Sequence, residues 1–415
     1  MATHSLIVYL NAQPIGELRQ EGSALSFCYE ESYLAKSDAL PLSLNLPLQK
    51  IPFADPSSRA FFANLLPEGE VRHQIARQLG ISAGNIFGLL AAIGGDCAGA
   101  VSLLPRGVLP RRGKNYRAVT EVELSKRLDD LPAHPLLSGE KGVRLSLAGA
   151  QNKLPIYWDG NSYHIPQENS PSSHILKTAI PQLNDTVINE AFCMNLANRS
   201  GLPVPEAEAV EINGKLVYRV ARYDRYLMTD GTLKRLHQED FCQAIGVPPE
   251  LKYENEGGPG FKDCFKLVAK WSDEPALDSL LLLRWCLYNF LIGNADGHAK
   301  NLSFLYADGK IRLAPFYDLL ATAVYVRLNN KFAMKIGGQK DPRYLMTQHL
   351  ARFADDSGIA LRTVNDELNK LIRRLESEIA ALAGEYNAKF GSPAIIEDIC
   401  RIASQRSAKG RGLLV

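Results

Sequence analysis

The chain has 415 residues, of which 46% are apolar, 22% charged and 8% aromatic. These proportions exclude a disordered tail, a collagen-like fibre or a small stapled scaffold, and at ~100–200 residues per domain the length predicts two or three folding units. Basic and acidic side chains number 47 and 45, a net charge of +2, which is not the balance of a protein whose whole surface binds polyanions.

In chain order, residues 6–10 and 25–29 read as strands, with a turn over 11–16 between them. Pro41, Pro47, Pro52 and Pro56 break the next stretch into extended pieces. Helical periodicity starts at Ser58 and runs through Phe61, Phe62, Leu65 and Leu66. A second helix over 70–79 closes at Gly80. A tight turn at Gly94-Gly95-Asp96 and Gly99 leads into a strand over 100–104, which ends a first unit, 1–105. Arg106, Arg111, Arg112, Lys114 and Arg117 then crowd 106–117 without an acid, the composition of a solvated linker.

Thr120-x-x-Glu123 is a capping box opening a helix to about Leu131. Strands are expected over 143–147, 153–158, 162–165 and 175–178, and a helix over 187–199 ending at Gly201. The apolar runs 207–212 and 215–220 flank Asn213-Gly214, a hairpin signal. Residues 118–225 therefore read as an antiparallel sheet with one or two helices. In 226–415 apolar residues recur at helical spacing over 261–271, 277–291, 344–354, 364–382 and 395–403, interrupted by a hairpin, 302–306 and 311–313, around Asp308-Gly309. The class is α+β. An N-terminal α/β unit precedes a β-rich lobe and a helix-rich lobe, and the cleft between the lobes is the expected ligand site.

Cys28, Cys97, Cys193, Cys242, Cys264, Cys286 and Cys400 are scattered and contain no C-x-x-C spacing. The expectation is free thiols in a reducing, cytoplasmic compartment. No basic region followed by a long apolar run opens the sequence, so no secretory signal is expected. Residues 276–293, the most apolar stretch, contain Asp278 and Arg284 and read as a buried helix; no membrane partner is expected.

The chemistry concentrates in Asp296-Gly297-His298-Ala299-Lys300-Asn301. An Asp followed five residues later by Asn is the spacing of a kinase catalytic loop, in which the Asp takes the proton of the acceptor hydroxyl and the Asn holds Mg²⁺. One tight turn places both groups, because nucleophile and metal meet the same phosphate a few ångströms apart. Asp318, after Pro315-Phe316-Tyr317, is the second expected Mg²⁺ ligand, since Mg²⁺ takes hard oxygens and few protein groups. Lys177, at the end of His174-Ile175-Leu176-Lys177, is the expected cation on the phosphates, with Glu190 as its ion-pair partner. Ser146-Leu147-Ala148-Gly149-Ala150-Gln151-Asn152-Lys153 is a small-residue turn suited to covering phosphates with backbone N–H groups. Walker A, G-x-G-x-x-G, H-E-x-x-H and G-x-S-x-G patterns are absent.

These motifs, in this order, resemble the HipA family of serine/threonine-kinase toxins of HipA–HipB toxin–antitoxin modules. The resemblance extends through Pro41-Leu42-Ser43-Leu44-Asn45-Leu46-Pro47-Leu48, Phe61-Phe62-Ala63-Asn64-Leu65-Leu66-Pro67-Glu68, Gly99-Ala100-Val101, Arg222-Tyr223-Asp224-Arg225, Gln238-Glu239-Asp240, Tyr253-Glu254 and Gly257-Gly258-Pro259-Gly260. It implies a two-lobed, protein-kinase-like fold similar to that of lipid kinases, with ATP and Mg²⁺ as cofactors. It implies Asp296 as catalytic base and Asn301 and Asp318 as metal ligands. Ala148, Gly149, Ala150, Gln151, Asn152 and Lys153 would form the phosphate loop, Lys177 would contact the phosphates, and Ala221, Arg222 and Tyr223 would form the hinge against adenine. His298, Ala299, Lys300 and Tyr317 would complete the nucleotide site, and Ser146 would be the autophosphorylation site. Two positions depart from the pattern: Ala221 stands where the family often has Glu, and Asn152 where relatives commonly carry a charge. The implied partners are a HipB-like helix-turn-helix antitoxin dimer, operator DNA through that complex, and an aminoacyl-tRNA synthetase as substrate. Contact with DNA would fall to 106–117 or to Arg406, Lys409 and Arg411. Two rivals stand beside this reading. A catalytically silent corepressor would bind no Mg²⁺-dependent nucleotide. A small-molecule phosphotransferase would leave the N-terminal unit and Ser146 without a role.

Overall fold

The computed structural model describes residues 4–110, 115–140 and 142–414. The first sheet has the order β3-β2-β1-β4 and is antiparallel throughout, with β1 at His4–Leu10, β2 at Gln13–Glu21, β3 at Ala24–Tyr29 and β4 at Val101–Pro105. The expected turn over 11–16 is confined to Asn11 and Ala12: Asn11 takes φ 55° and Leu10 already faces Gln13. Strand β2 was hidden by its polar composition and by Pro14. A register shift between Val8 and Tyr9 accommodates that proline. Helices Asp55–Ala63, Gly69–Leu79 and Ile86–Ile93 accompany this sheet. The last was not expected, because a segment apolar on every side carries no helical period.

The second sheet runs β5-β7-β6-β8-β10-β9, with β5 at Tyr116–Val119, β6 at Lys153–Trp158, β7 at Tyr163–Pro166, β8 at His174–Lys177, β9 at Ala207–Ile212 and β10 at Lys215–Ala221. Strand β5 takes in the end of the expected linker; Arg111, Arg112 and Lys114 lie outside the described residues. The strand expected over 143–147 does not form. Leu145 makes a single bridge to Asp96, and the Arg144 guanidinium donates to the carbonyls of Ala91, Ala92 and Leu103. The segment is thus bound to the N-terminal unit instead of to the sheet.

A two-stranded ribbon, β11 (Arg225–Leu227) and β12 (Leu233–Arg235), leads to β13 (His237–Asp240), which pairs with the hairpin of β14 (Ser303–Ala307) and β15 (Lys310–Leu313). Helices Phe261–Trp271, Pro275–Ile292, Thr347–Ser357, Leu361–Phe390 and Ala394–Arg411 build the rest. The helix expected from 344 begins at Thr347, because residues 342–344 form a 3-10 turn capped by the Asp341 side chain.

Two large cores result. One joins the first sheet and its helices to the second sheet through Leu6, Phe27, Phe62 and Leu90 against Leu154, Ile156, Ile165 and Leu176. The other gathers helix Thr186–Arg199 with the C-terminal helices around Trp285, Tyr288 and Phe353. Helix Pro275–Ile292 is long and apolar enough to cross a membrane, but most of it is buried in this second core, which explains its composition. All seven cysteines are free, and five are buried.

Candidate active site

Helix Pro275–Ile292 ends at Gly293, whose φ of 74° lets the chain reverse; a Cβ there would lie 2.9 Å from both Ala323 and Ile402. Asn294 then organises the following loop. Its Nδ2 donates to Asn289 Oδ1 (2.7 Å) and points at the Asp318 carbonyl (3.5 Å), while its Oδ1 accepts the N–H of Asp296 (3.0 Å). One buried amide therefore ties the expected base to the backbone of the expected metal ligand. Asn301 closes the loop by accepting the N–H of His298 at 3.2 Å.

Asp296 opens to solvent, yet it lies deep among protein atoms, and this dehydration raises its pKa; the Tyr253 hydroxyl, donating at 2.9 Å, and the Lys252 charge oppose the rise. Asp318 takes φ 54°, a conformation non-glycine residues adopt rarely and often at functional sites. Burial raises its pKa, but Lys177 and Lys153 outweigh burial and hold the carboxyl at about 2.

Lys177 leaves the end of β8 and meets Glu190 Oε1 at 2.6 Å and Asp318 Oδ1 at 2.5 Å. Burial lowers its pKa, and the two carboxylates more than reverse that. The ammonium stays charged, and two carboxylates, one on helix Thr186–Arg199 and one beyond the β14–β15 hairpin, fix its place. Lys153, one strand away, is pushed down to about 8 by burial and by Lys177, and it donates to the Ala148 carbonyl at 2.5 Å.

The loop from Ser146 to Lys153 passes over this group. Gly149 sits at φ 107°, and a Cβ there would meet Lys153 Nζ at 2.6 Å. The N–H groups of Ala148 and Ala150 donate to no acceptor among the described residues, so they stay available to an anion, whereas Gly149 is bridged to Pro67 of the N-terminal unit. The Gly149 carbonyl accepts the N–H of Glu68 (3.1 Å), and Gln151 Nε2 donates to the Thr178 carbonyl (3.1 Å). Asn152 Oδ1 and His298 Nδ1 are buried without a partner, as expected of polar atoms that await a ligand. Ser146 is fully buried, its Oγ donating to the Leu65 carbonyl at 2.8 Å.

The remaining expected residues divide. Tyr223 and Tyr317 stack with ring centroids 5.7 Å apart, and Ala221 is half-buried at the end of β10. The Arg222 side chain turns away from the cleft into a buried cluster with Asp96 (3.2 Å) and Asp224 (2.8 Å), so only its backbone can serve a hinge. Lys300 is corrected in the same way: its ammonium is bound by Asn64 Oδ1 (2.5 Å), Asp240 (3.3 Å) and Glu68 (3.3 Å) and is not free for phosphate. Ala299 is fully buried, and burial with the nearby Lys252 pushes His298 down to about 3, so its ring is neutral. The individual roles of Glu68 and Lys252 escaped sequence reasoning, because no local pattern marks a contact between residues 184 apart. Glu68 and Tyr253 enter only within the resembling stretches 61–68 and 253–254, with no role attached.

The donor set suits Mg²⁺. Asp318 and Asn301 offer hard oxygens, and no cluster of three or more His, Cys, Asp or Glu able to hold a metal occurs among the described residues.

Residues 6–104 match the HipA N-terminal domain family and residues 145–382 the HipA-like C-terminal domain family. The chain is 41% identical to the Sinorhizobium fredii Y4mE protein, over 92% of each chain. It is 31% identical to the serine/threonine-protein kinase toxin HipA of Shewanella oneidensis, over 91% of this chain and 89% of that one. Among solved structures it matches the Shewanella oneidensis HipA, HipB and operator DNA complex with a TM-score of 0.84 and 29% identity, covering 98% of this chain and 96% of that one.

Proposed function

The chain belongs to the HipA family of kinases, and from that premise we propose that it transfers the γ-phosphoryl group of ATP, with Mg²⁺, to a serine or threonine hydroxyl of a protein. The observation that carries this reading is the bridge Glu190–Lys177–Asp318, joined through Asn294 to Asp296. Lys177 holds the phosphates, and the loop N–H groups of Ala148 and Ala150 cover them. Mg²⁺, on Asn301 and Asp318, would neutralise charge on the phosphates. Asp296 orients the acceptor hydroxyl and takes its proton as the oxygen–phosphorus bond forms; its raised pKa makes it a better base than an ordinary carboxylate. Ala221 through Tyr223 would meet adenine, by backbone groups and by the Tyr223–Tyr317 pair, with His298 and Ala299 walling the site.

The test is Asp296→Asn. Phosphoryl transfer should fall by about 10²–10⁴-fold, while Mg²⁺-dependent ATP binding, followed by calorimetry, stays near wild type. Transfer at the wild-type rate refutes the assignment, and wild-type protein that binds no nucleotide favours the silent corepressor.

The biological reading extends from the same family. The chain acts in the cytoplasm as the toxin of a toxin–antitoxin pair, with a HipB-like helix-turn-helix dimer as antitoxin, operator DNA reached through that complex, and an aminoacyl-tRNA synthetase as target. Ser146 is its own phosphorylation site. Because Ser146 is buried, its modification requires the loop 146–153 to leave its seat. Adding about −2 charge there would keep the loop out by repulsion from the carboxylates and from ATP. Arg106 pairs with Glu17, Arg117 with Glu123 and Arg411 with Glu376, and Arg406 lies over the Phe290 ring. Within the C-terminal tail, direct DNA contact would therefore fall first on Lys409.

A further inference from the structure

Phosphoryl transfer spreads negative charge over three equatorial oxygens, and protein groups must meet that charge from the acceptor side as well as from the nucleotide side. The catalytic loop itself supplies no cation there. His298, two residues after Asp296, is buried and neutral, and the Lys300 ammonium is held by Asn64, Asp240 and Glu68. Lys177 is committed to Glu190 and Asp318, and Lys153 is folded back onto the Ala148 carbonyl of the phosphate loop.

Among the described residues, a further ammonium lies beside the base. Lys252 follows the 3-10 turn Pro249–Leu251 and lies 5.2 Å from the centroid of the Tyr253 ring, whose hydroxyl donates to Asp296. Its carboxylate partner is Glu68, at 2.8 Å, and the other oxygen of Glu68 is turned to Lys300. Glu68 belongs to the N-terminal unit, and its own N–H is fixed to the Gly149 carbonyl of the phosphate loop. A single acidic residue thus sets the loop over the phosphates and the lysine beside the base.

Resting on the kinase reading above, we propose that Lys252 is a further catalytic residue, whose ammonium contacts the phosphoryl group in transfer from the acceptor side, and that Glu68 positions it. In the step, the acceptor oxygen–phosphorus bond forms as the phosphorus–oxygen bond to ADP breaks. The hydroxyl proton goes to Asp296. The groove is complete only with the N-terminal unit in place.

The experiment uses the full chain with Mg²⁺ and ATP, with ADP formation followed in steady state and ATP affinity by calorimetry. Lys252→Met should lower kcat by about 10²-fold, the scale of losing one preorganised charge-stabilising donor, and leave ATP affinity within about twofold. Lys252→Arg keeps the charge and should recover most of the rate. Glu68→Gln should lower kcat by about tenfold with ATP affinity within about twofold, a split that loss of structure alone would not give. If Lys252→Met fails to fold, Lys252→Arg and Glu68→Gln decide the matter through the same kcat and affinity readings. An active wild type whose kcat is unchanged in the two lysine variants, or changed only in step with ATP affinity, overturns the role of Lys252 and leaves the kinase reading standing. A wild type that neither binds ATP nor forms ADP overturns both.

Discussion

Asp96→Asn is the sharpest test of how the N-terminal unit is joined to the lobes. Asp96 has no solvent exposure and lies against Arg225 at 2.8 Å, Arg235 at 3.0 Å and Arg222 at 3.2 Å, while accepting from Ser172 N (3.0 Å) and Oγ (2.8 Å). Asparagine keeps the shape and the bonds to Ser172 but leaves Arg222 and Arg225 to share Asp224 and deprives Arg235 of its carboxylate. Removing one partner from a buried ion cluster costs about 3–5 kcal/mol, most of it from stranded charge. With a urea slope of about 1–3 kcal/mol/M, the unfolding midpoint should fall by roughly 1–5 M. The double variant Asp96→Asn, Arg225→Gln should then be less destabilised than the sum of the single changes, because it removes one stranded cation. Burial alone would raise the Asp96 pKa, but Arg225, Arg222 and Arg235 hold it well below the usual carboxylate range. For a depressed carboxyl the stabilisation is complete above the unfolded pKa of about 3.9 and is lost as pH falls through the folded value. The gap between wild type and variant should therefore stay constant from pH 7 to about pH 5 and close only at lower pH. A midpoint shift equivalent to less than about 1 kcal/mol, or strict additivity in the double variant, would refute the reasoning.

Three further outcomes are expected. Glu190→Gln frees Lys177 on one side and should raise the ATP Kd about tenfold, the scale of one charge-assisted bond, while calorimetry on Asp296→Asn shows no such change. Gly149→Ala forces a side chain into a left-handed backbone against Lys153, a strain of about 1–3 kcal/mol; ATP binding should weaken, and unchanged binding would mean that the loop is not the phosphate cover. The acid limb of kcat/KM reports Asp296, which must be ionised to act. Because its pKa is raised, the rate should fall on acidification at a pH above the ordinary carboxylate value of about 3.9, and Tyr253→Phe, which removes a bond that lowers that pKa, should move the limb further up.

The candidate set that converges here could be picked out in the sequence because its spacing follows from geometry. Asp296 and Asn301 sit on one turn, and Lys177, Glu190 and Asp318 follow from the order of strand, helix and hairpin. What could not be read depends on partners distant in the chain. Strand β13, His-Gln-Glu-Asp, has no apolar pattern, yet three of its four residues are buried, because His237 meets the Leu42 carbonyl, Glu239 meets Ser43 and Tyr306, and Asp240 caps the next helix through Gln243. Arg222 and Lys300 adjoin nucleotide-facing residues in sequence, but carboxylates from elsewhere in the fold capture their side chains. Charge alone did not reveal which direction either would take.

That capture also decides which part of the molecule can move. The N-terminal unit shares one apolar core with the second sheet and is pinned to the rest of the chain by buried or half-buried polar junctions, among them the Asp96 cluster, Ser43 with Glu239 at 2.5 Å, Asn64 with Lys300 at 2.5 Å and Glu68 with Lys252 at 2.8 Å. Displacing the whole unit would strand charges at several of these junctions and expose the core. The loop 146–153 meets that unit mainly through the Ser146 Oγ bond to Leu65, the Ser146 N–H bond to Asp96 and the Glu68 N–H bond to Gly149. Breaking such neutral bonds in favour of water costs about 0.5–1.5 kcal/mol each. A switch acting on this kinase therefore works most cheaply by lifting the phosphate loop from a fixed frame, and the buried Ser146 hydroxyl lies at the root of that loop.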